Sequence, residues 1–131
     1  MSFKTIEVDL PLPTIKEKGN LKNLSLNVYR NAYFRNLNNS KKAYADLVRL
    51  KLYPHRRKSF KRARITFILF NKTKHRRDLS NFCVMTDKIF CDVLTSMKII
   101  KDDDCFTVSE VTYRFGGVGE DKIKVLVEEV V

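Results

Sequence analysis

The chain has 131 residues and a mass of 15.4 kDa, the size of one domain that can bury a core without metal or disulfide staples. Hydrophobic residues make up 44% of it, with only four glycines and three prolines, so the composition excludes a disordered or low-complexity chain. Its formal net charge of +11 favours a polyanionic partner.

The positive charge is concentrated in the first part of the chain. Residues 1–77 contain 20 basic and 4 acidic groups, a net charge of +16, whereas residues 78–131 contain 6 basic and 11 acidic groups, a net charge of −5. A charge that served only solubility would mix both signs over the surface. No amphipathic anchor accompanies the basic residues, so we expect nucleic acid, and not a membrane, as the partner.

No segment predicts secretion or membrane insertion. The longest apolar runs, such as Ile65 to Phe70, are too short to cross a bilayer, and the N-terminus lacks the pattern of a signal peptide. We therefore expect a cytoplasmic protein.

The cysteines and histidines do not indicate a zinc site. Cys83, Cys91 and Cys105 form no CxxC pattern, so they predict free thiols. His55 and His75 lie among basic residues that would repel a metal cation, so we expect them to face phosphate or solvent.

The first predicted element is a strand. Apolar and acidic residues alternate from Ile6 to Leu10, which is typical of a strand with one buried face, and Pro11 and Pro13 end it. We expect a polar loop to follow as far as Ser25.

Helical spacing begins next. Tyrosine and aliphatic residues recur three, four or seven apart from Asn27 to Leu52, which predicts one helix or two, with Asn38–Ser40 as the break. A tyrosine stripe at this spacing is typical of core packing, with base stacking as the alternative. Pro54 ends the helix.

A dense basic segment follows Pro54. Its six basic residues are Arg56, Arg57, Lys58, Lys61, Arg62 and Arg64. Because a polyanion relieves the mutual repulsion of so many like charges, the segment predicts phosphate contacts. A solvated charged loop is the alternative.

The next two elements form the centre of the predicted fold. The apolar run Arg64–Asn71 is typical of a strand buried on both faces in the middle of a sheet. It leads into a strongly patterned helix between Leu79 and Lys98, whose apolar side chains fall in one arc at about 100° per residue.

The chain closes with two strand-like segments. We expect a strand over Phe106–Phe115, a turn at Gly116, Gly117 and Gly119, and a closing strand over Lys122–Val131, paired as a hairpin. The order strand, helix, strand, helix, hairpin predicts one α/β (α+β) domain over residues 1–131, with a small mixed sheet and two main helices packed on it.

Polar residues of the central helix share a face. Asn81, Lys88 and Asp92 cluster there at about 100° per residue, and Asp78, before the first turn, can point to the same side. Asp87 lies more than about 90° from Lys88 by the same geometry, which predicts a surface charge.

Three consecutive aspartates, residues 102–104, follow this helix. Adjacent carboxylates repel one another unless they are solvated or neutralised by a cation, and carboxylate oxygens are ligands that Mg²⁺ prefers. With Asp78 and the basic surface, they indicate a metal-dependent site that acts on nucleic acid. The simpler alternatives are a solvated turn, an ion pair between Lys88 and Asp92, and a helix cap at Asp78.

These segments together resemble the RusA family of Holliday-junction resolvases, especially its phage members. The resemblance rests on RRDLSN at residues 76–81, Lys88, DVL at Asp92–Leu94, DDD at residues 102–104, SLNVYRN at Ser25–Asn31 and YRFGGV at Tyr113–Val118. It spans nearly the whole chain.

The resemblance implies a homodimeric endonuclease that resolves four-way DNA junctions by paired nicks in recombination and repair. The implied cofactor is Mg²⁺, with Mn²⁺ as a substitute. Asp78, Lys88 and Asp103 match the catalytic residues, and Asp78 and Asp103, with Asp102 beside Asp103, match the metal ligands. Residues expected to contact DNA are Arg30, Arg56, Arg57, Lys58, Lys61, Arg62, Arg64, Lys74, Arg76, Arg77 and Asn81.

One position departs from the family pattern. Where the better-known motif reads DLDN, this chain has Ser80, a neutral and weaker metal ligand. Our hypothesis is that Asp92 supplies the missing carboxylate as a catalytic residue and metal ligand. The alternatives are a module that binds branched nucleic acid without cutting it, and a broader nuclease for flaps or forks.

Overall fold

A computed structural model of the protein describes residues 4–74 and 76–131, so His75 and its expected role lie outside the described residues. The elements are β1 (Thr5–Leu10), β2 (Thr14–Glu17), β3 (Asn20–Asn23), α1 (Leu26–Asn31), α2 (Phe34–Leu52), β4 (Ala63–Asn71), α3 (Leu79–Ser96), β5 (Val108–Val118) and β6 (Lys122–Glu129). A 3₁₀ turn, Tyr53–His55, follows α2. The expected mixed α+β fold is confirmed. No described helix is long and apolar enough to cross a membrane.

The main sheet has the strand order β1-β6-β4-β5. β4 is antiparallel to β6 and parallel to β5, and β1 is antiparallel to β6. Phe67 in β4 lies between Val125 of β6 and Tyr113 of β5. The prediction of a central strand is therefore confirmed, but burial on both faces is wrong, because Arg64 is exposed and Ile68 and Phe70 are half-buried on the face away from the helices.

The predicted hairpin of the last two strands is wrong. β5 and β6 lie on opposite sides of β4, and the turn between them crosses the end of that strand. The backbone N–H of Gly119 donates to the carbonyl oxygen of Asn71 at 2.7 Å, which holds the crossing in place. A buried central strand needs a hydrogen-bonding partner on each edge, and β5 and β6 supply one each.

Two of the glycines assigned to the turn belong instead to β5. Between Phe115 and Gly117 the pairing with β4 shifts by one residue, and Gly117 has a φ of +121° that favours glycine. A Cβ at Gly116 would lie 2.5 Å from Cζ of Phe70 and 2.7 Å from Cγ2 of Ile68. Gly116 therefore permits a close approach between the two strands.

Replacing Gly116 with alanine is expected to lower the free energy of unfolding by about 1–3 kcal/mol, because Phe70 and Ile68 must move to admit the new Cβ. Urea unfolding followed by circular dichroism measures the change. Gly119→Ala is the matched control, since a Cβ there meets nothing within 4 Å. Equal losses in both variants would contradict the steric account.

α2 and α3 pack on one face of the main sheet. Ile65, Phe67 and Leu69 of β4 point into this core, where the rings of Phe67 and Phe90 meet edge-on with centroids 6.0 Å apart. The opposite face is charged, because Arg64, Lys122 and Lys124 form ion pairs with Glu128, Asp9 and Glu7 on neighbouring strands.

The region before α2 differs from the predicted polar loop. β2 and β3 form an antiparallel hairpin, and Ser25 caps α1 by accepting a hydrogen bond from the N–H of Val28 at 3.3 Å. The helix break lies at residues 32–33, and not at Asn38–Ser40. The Ser40 hydroxyl donates to the carbonyl oxygen of Thr14, so this polar part of α2 is anchored to the hairpin.

The tyrosines divide between core and surface. Tyr44 is buried, and its hydroxyl donates to the carbonyl oxygen of Pro11 at 2.7 Å. Tyr33 is exposed and stacks obliquely on Phe34. Core packing is thus confirmed for Tyr44 and wrong for Tyr33.

Candidate functional site

Asp78 occupies the N-cap position of α3 but does not cap the helix with its side chain. It is exposed, and its carboxylate accepts a hydrogen bond from the Ser80 hydroxyl at 3.2 Å. Ser80 thus orients the carboxylate that precedes it. The expected capping bond is absent, which leaves Asp78 open to solvent at the start of the helix.

Arg77 points into the protein. Its side chain is only 13% exposed, and Nη1 donates to Asp121 at 3.0 Å and to Oδ1 of Asn71 at 3.1 Å. Its guanidinium also lies 5.2 Å from the ring centroid of Phe82. Arg77 therefore fixes the segment before α3, and its contact with DNA stays a prediction.

Asp121 completes this arrangement and was missed by sequence reasoning, because its partners lie more than forty residues earlier in the chain. Its hydrogen bonds with Arg77 and with the backbone N–H of Lys72 hold the pKa of its carboxyl below the usual range. The charged form is thus favoured in the folded protein.

Asp121→Asn is expected to lower stability at neutral pH by about 1 kcal/mol, a modest loss because the ion pair is partly exposed. A carboxyl whose pKa is depressed by folding stabilises above its unfolded pKa and loses that effect as pH falls through its folded pKa. The difference from wild type should therefore shrink below about pH 4. Urea titrations at several pH values measure it, with Glu120→Gln as the control; a pH-independent difference would contradict the linkage.

A basic pocket of about 340 Å³ lies beside this end of α3. Its lining includes the exposed Lys74 and Arg76, together with the apolar side chains of Phe115 and Val118 from β5. Lys74 and Arg76 are therefore accessible to a phosphate group, and they lie close to Asp78 in the chain.

Two polar residues of α3 face α1. Oδ1 of Asn81 accepts a hydrogen bond from the backbone N–H of Asn27 at 3.0 Å, which ties the helices together. Nζ of Lys88 lies 5.5 Å from the ring centroid of Tyr29. Among the described residues Lys88 forms no ion pair with Asp92, so that simpler alternative does not hold. Asn81 is engaged within the protein, whereas Lys88 remains exposed.

Asp87 is not the isolated surface charge that the helix geometry predicted. Its carboxylate accepts hydrogen bonds from the Tyr113 hydroxyl at 2.5 Å and from Sγ of Cys91 at 3.3 Å, so it joins α3 to β5. Burial, with Asp87 nearby, raises the pKa of the Cys83 thiol to about 12 and raises that of Cys91 further. The expectation of free thiols is confirmed.

The three consecutive aspartates follow α3 in the chain, and Asp103 lines a pocket with Asp87 and Lys88 from the middle of that helix. Asp104 stabilises their turn, since its carboxylate accepts hydrogen bonds from the N–H groups of Phe106 and Thr107, both at 3.0 Å. Desolvation, the neighbouring Asp102 and the charge of Asp92 together raise the pKa of Asp103.

An acidic pocket of about 490 Å³ includes Asp103. Asp87 and Lys88 of α3 line it, together with Val108 and Val111 of β5. Lys88 and Asp103 thus share one pocket, as the resemblance implied for two catalytic residues.

Asp78 and Asp103 do not meet within one chain. Asp103 lines a pocket with Asp87 and Lys88, which are nine and ten positions along α3 from Asp78, or ~14 Å at about 1.5 Å per residue. Asp78 and Asp92, fourteen positions apart, are ~20 Å apart along the axis. Mg²⁺ binds oxygen at about 2.0–2.1 Å. The expected metal ligands Asp78, Asp92, Asp102 and Asp103 therefore do not form one site in a single chain, and the described residues contain no cluster of three or more metal-binding groups.

Lysines line a groove of about 500 Å³ at the same end of the sheet as the three aspartates. Lys61, Lys98 and Lys101 line it around the apolar side chains of Phe60 and Ile100. Sequence reasoning missed Lys98 and Lys101. The sequence does contain a signal for a basic surface here, because Lys98 and Lys101 flank Ile99–Ile100 and Lys101 directly precedes the three aspartates.

The rest of the basic segment divides into engaged and exposed side chains. Lys58 donates to the carbonyl oxygen of Thr5 at 2.8 Å, Arg64 pairs with Glu128 at 3.6 Å, and Arg56 lies 4.0 Å from the ring centroid of Tyr53. Arg57, Lys61 and Arg62 of this segment are exposed and form no hydrogen bond or ion pair with the described part of the chain. The same holds for Arg30 of α1.

The chain matches no protein-family model, and no curated protein is similar to it in sequence. Its function must therefore be inferred from the residues and their arrangement.

Proposed function

We propose that this protein is an endodeoxyribonuclease that resolves four-way DNA junctions during recombination and repair. Solvent-exposed carboxylates beside solvent-exposed cations carry the proposal. Asp78 lies next to the pocket of Lys74 and Arg76, and the three aspartates lie next to the groove of Lys61, Lys98 and Lys101. A protein that only binds phosphate gains nothing from such carboxylates, because they repel the DNA backbone.

The motifs that resemble the RusA family support the same reaction. Asp78, Lys88 and Asp103 match its catalytic residues, and all three are exposed. The proposed protein acts as a homodimer in the cytoplasm of a bacterial or phage-infected cell, and needs Mg²⁺ or Mn²⁺. Carboxylates are suitable ligands for these ions, although one chain does not gather enough of them.

The chain's own residues have separable roles in phosphodiester hydrolysis. Exposed lysines and arginines bind the phosphates on either side of the cut. Asp103 lines the pocket of Lys88 with an exposed carboxylate, which would help to hold the metal ion that activates the attacking water. Lys88, in the same pocket, stabilises the negative charge that develops on the phosphate.

The arrangement of Ser80 favours a second candidate, a module that holds branched nucleic acid without cutting it. The Ser80 hydroxyl donates a hydrogen bond to Oδ1 of Asp78 at 3.2 Å, and a neutral hydroxyl is a weaker metal ligand than the aspartate of the family motif. A third candidate, a nuclease for flaps and forks, would use the same residues on other branched substrates.

A labelled synthetic four-way junction separates these candidates. We expect nicks in Mg²⁺, none in EDTA, and little inhibition by excess linear duplex. Tight binding without nicks in either Mg²⁺ or Mn²⁺ would establish the binding module instead. Equal cutting of flaps, forks and junctions in competition would establish the broader nuclease.

A further inference from the structure

Two adjacent aromatic side chains, Tyr33 and Phe34, face solvent where α1 gives way to α2. They are 52% and 58% exposed, and their ring centroids lie 5.0 Å apart with the ring planes tilted by 60°. Aromatic side chains stabilise a fold through burial, so two neighbours left in water contribute little to stability. Exposed apolar groups that lie together and are rimmed by polar residues instead mark interaction sites.

The backbone that carries the two rings is firmly held. Flanking residues of α1 and α2, among them Tyr29 and Leu37, pack inwards on a small buried core that includes Met85 of α3. The backbone N–H of Tyr33 donates to Oε2 of Glu17 at 3.1 Å, which ties the start of α2 to the β2–β3 hairpin. A ligand that binds to preorganised side chains loses less conformational entropy on binding, so this surface suits a ligand.

The surroundings of the aromatic pair are basic. Arg30 and Arg35 flank it in the chain, both are exposed, and the Arg35 guanidinium lies 5.9 Å from the ring centroid of Phe34. No acidic residue occurs in the sequence between Glu17 and Asp46. Proteins hold single-stranded nucleic acid with this combination, because bases stack on aromatic rings while cations contact the phosphates. The two aromatic side chains and the two flanking arginines therefore form an aromatic platform for a polyanion with flat groups.

The aromatic platform adjoins the candidate catalytic lysine. Oδ1 of Asn81 in α3 accepts a hydrogen bond from the backbone N–H of Asn27 in α1 at 3.0 Å. Nζ of Lys88 lies 5.5 Å from the ring centroid of Tyr29, which precedes Tyr33 by four residues. A DNA strand bound at Lys88 can therefore reach the aromatic platform within a few nucleotides.

We propose that the aromatic platform binds unpaired nucleotides of DNA, stacking their bases on Tyr33 and Phe34 and holding their phosphates with Arg30 and Arg35. Bases inside a duplex are already stacked and paired, so the platform distinguishes single strand from duplex. At a four-way junction it engages bases that come apart at the branch point and sets the branch beside Lys88. The single-strand site stands on the four residues of the platform, whereas its use at a branch point rests on the proposed function.

Affinity for a short single strand tests the platform in EDTA, where cutting does not interfere. Labelled oligothymidine and a duplex of equal length are titrated by fluorescence anisotropy. We expect Tyr33→Ala/Phe34→Ala to bind the single strand at least about tenfold more weakly than wild type, and the duplex equally well. The duplex also reports correct folding. Unchanged single-strand affinity, an equal loss for both DNAs, or a wild type that does not bind the single strand would overturn the proposal.

Two further variants serve as controls for that titration. Tyr33→Phe should keep the wild-type affinity for the single strand, because the ring and not the hydroxyl stacks on a base. Tyr53→Ala should also keep it, since Tyr53 is 57% exposed but its ring already has the Arg56 guanidinium 4.0 Å from its centroid. An equal loss in Tyr53→Ala and in the double variant would show that any exposed tyrosine suffices and would refute the assigned site.

Photochemical cross-linking locates the bound base. A single strand that carries 5-iodouracil is irradiated with wild-type protein, which is then digested with trypsin. Trypsin cleaves after Arg30 and after Arg35, so residues 31–35 form one peptide that contains both aromatic side chains. We expect the oligonucleotide on this peptide. Cross-links confined to other peptides would contradict the placement.

The same label in a four-way junction tests the role at the branch point, again in EDTA. With 5-iodouracil at the branch point, we expect a cross-link to residues 31–35; with the label in the middle of an arm, we expect none there. Equal cross-linking from both positions would rule out recognition of the branch. If wild type then cuts no junction in Mg²⁺, the nuclease function fails, while the cross-links and the single-strand affinities still decide the platform.

Discussion

Asp78→Asn and Asp103→Asn are each expected to lower the rate of junction cutting by about a hundredfold or more, the size of effect associated with a catalytic acid or base. Asparagine keeps the shape of the side chain and removes its charge, so the fold and the basic surfaces should persist. Junction affinity should therefore stay within about twofold of wild type, or rise, because a carboxylate near phosphate is lost. Single-turnover nicking and gel-shift titration measure the two quantities.

Asp46→Asn is the matched control for these variants, since Asp46 is an exposed carboxylate on α2 that pairs with Arg49 at 3.0 Å, away from both pockets. Its cutting rate should equal that of wild type. Loss of DNA binding in the Asp78 and Asp103 variants would instead indicate a structural role. Asp92→Asn belongs in the same series, and a wild-type rate would show that Asp92 does not replace the carboxylate missing at Ser80.

Removing Arg57, Lys61 and Arg62 together is expected to weaken DNA binding and to reduce its dependence on salt. Each lost phosphate contact lowers the slope of log affinity against log salt concentration by about 0.9, so the triple alanine variant should lose about two to three units of slope. Fluorescence anisotropy with a labelled junction, at several salt concentrations, measures affinity and slope together.

A second triple variant controls for net charge. Lys16, Lys18 and Lys42 are exposed on β2, the turn after it and α2, and their replacement by alanine removes an equal charge. Its salt slope should match that of wild type. A similar loss of slope in both triple variants would mean that overall charge, and not the Arg57–Arg62 surface, holds the DNA.

The sequence predicted the elements whose pattern is local. An uninterrupted apolar run identified β4 as a central strand, and helical periodicity identified α3 to within two residues of its observed end at Ser96. The hairpin prediction failed for β5 and β6 because strand pairing between distant segments leaves no local pattern. Two strand-like segments joined by a glycine-containing turn have the same sequence pattern whether they pair with each other or each pairs with a third strand.

The candidate site was predicted less completely than the fold. Helix geometry gives the direction of the Asp87 side chain around α3. It does not reveal that the Tyr113 hydroxyl of β5 donates a hydrogen bond to that side chain. The resemblance implies that Asp78 and Asp103 hold one metal ion, whereas within one chain Asp103 lies in the pocket of Asp87 and Lys88, nine and ten positions along α3 from Asp78.

Mapping the nicks on a four-way junction tests the central claim most directly. Each of the four strands is labelled in turn, and the products formed in Mg²⁺ are sized. The proposed two-fold homodimer should cut one pair of opposite strands at positions symmetric about the branch point, leaving ligatable nicked duplexes. Uncut junctions, or nicks scattered equally over all four strands and over linear duplex, would contradict the account.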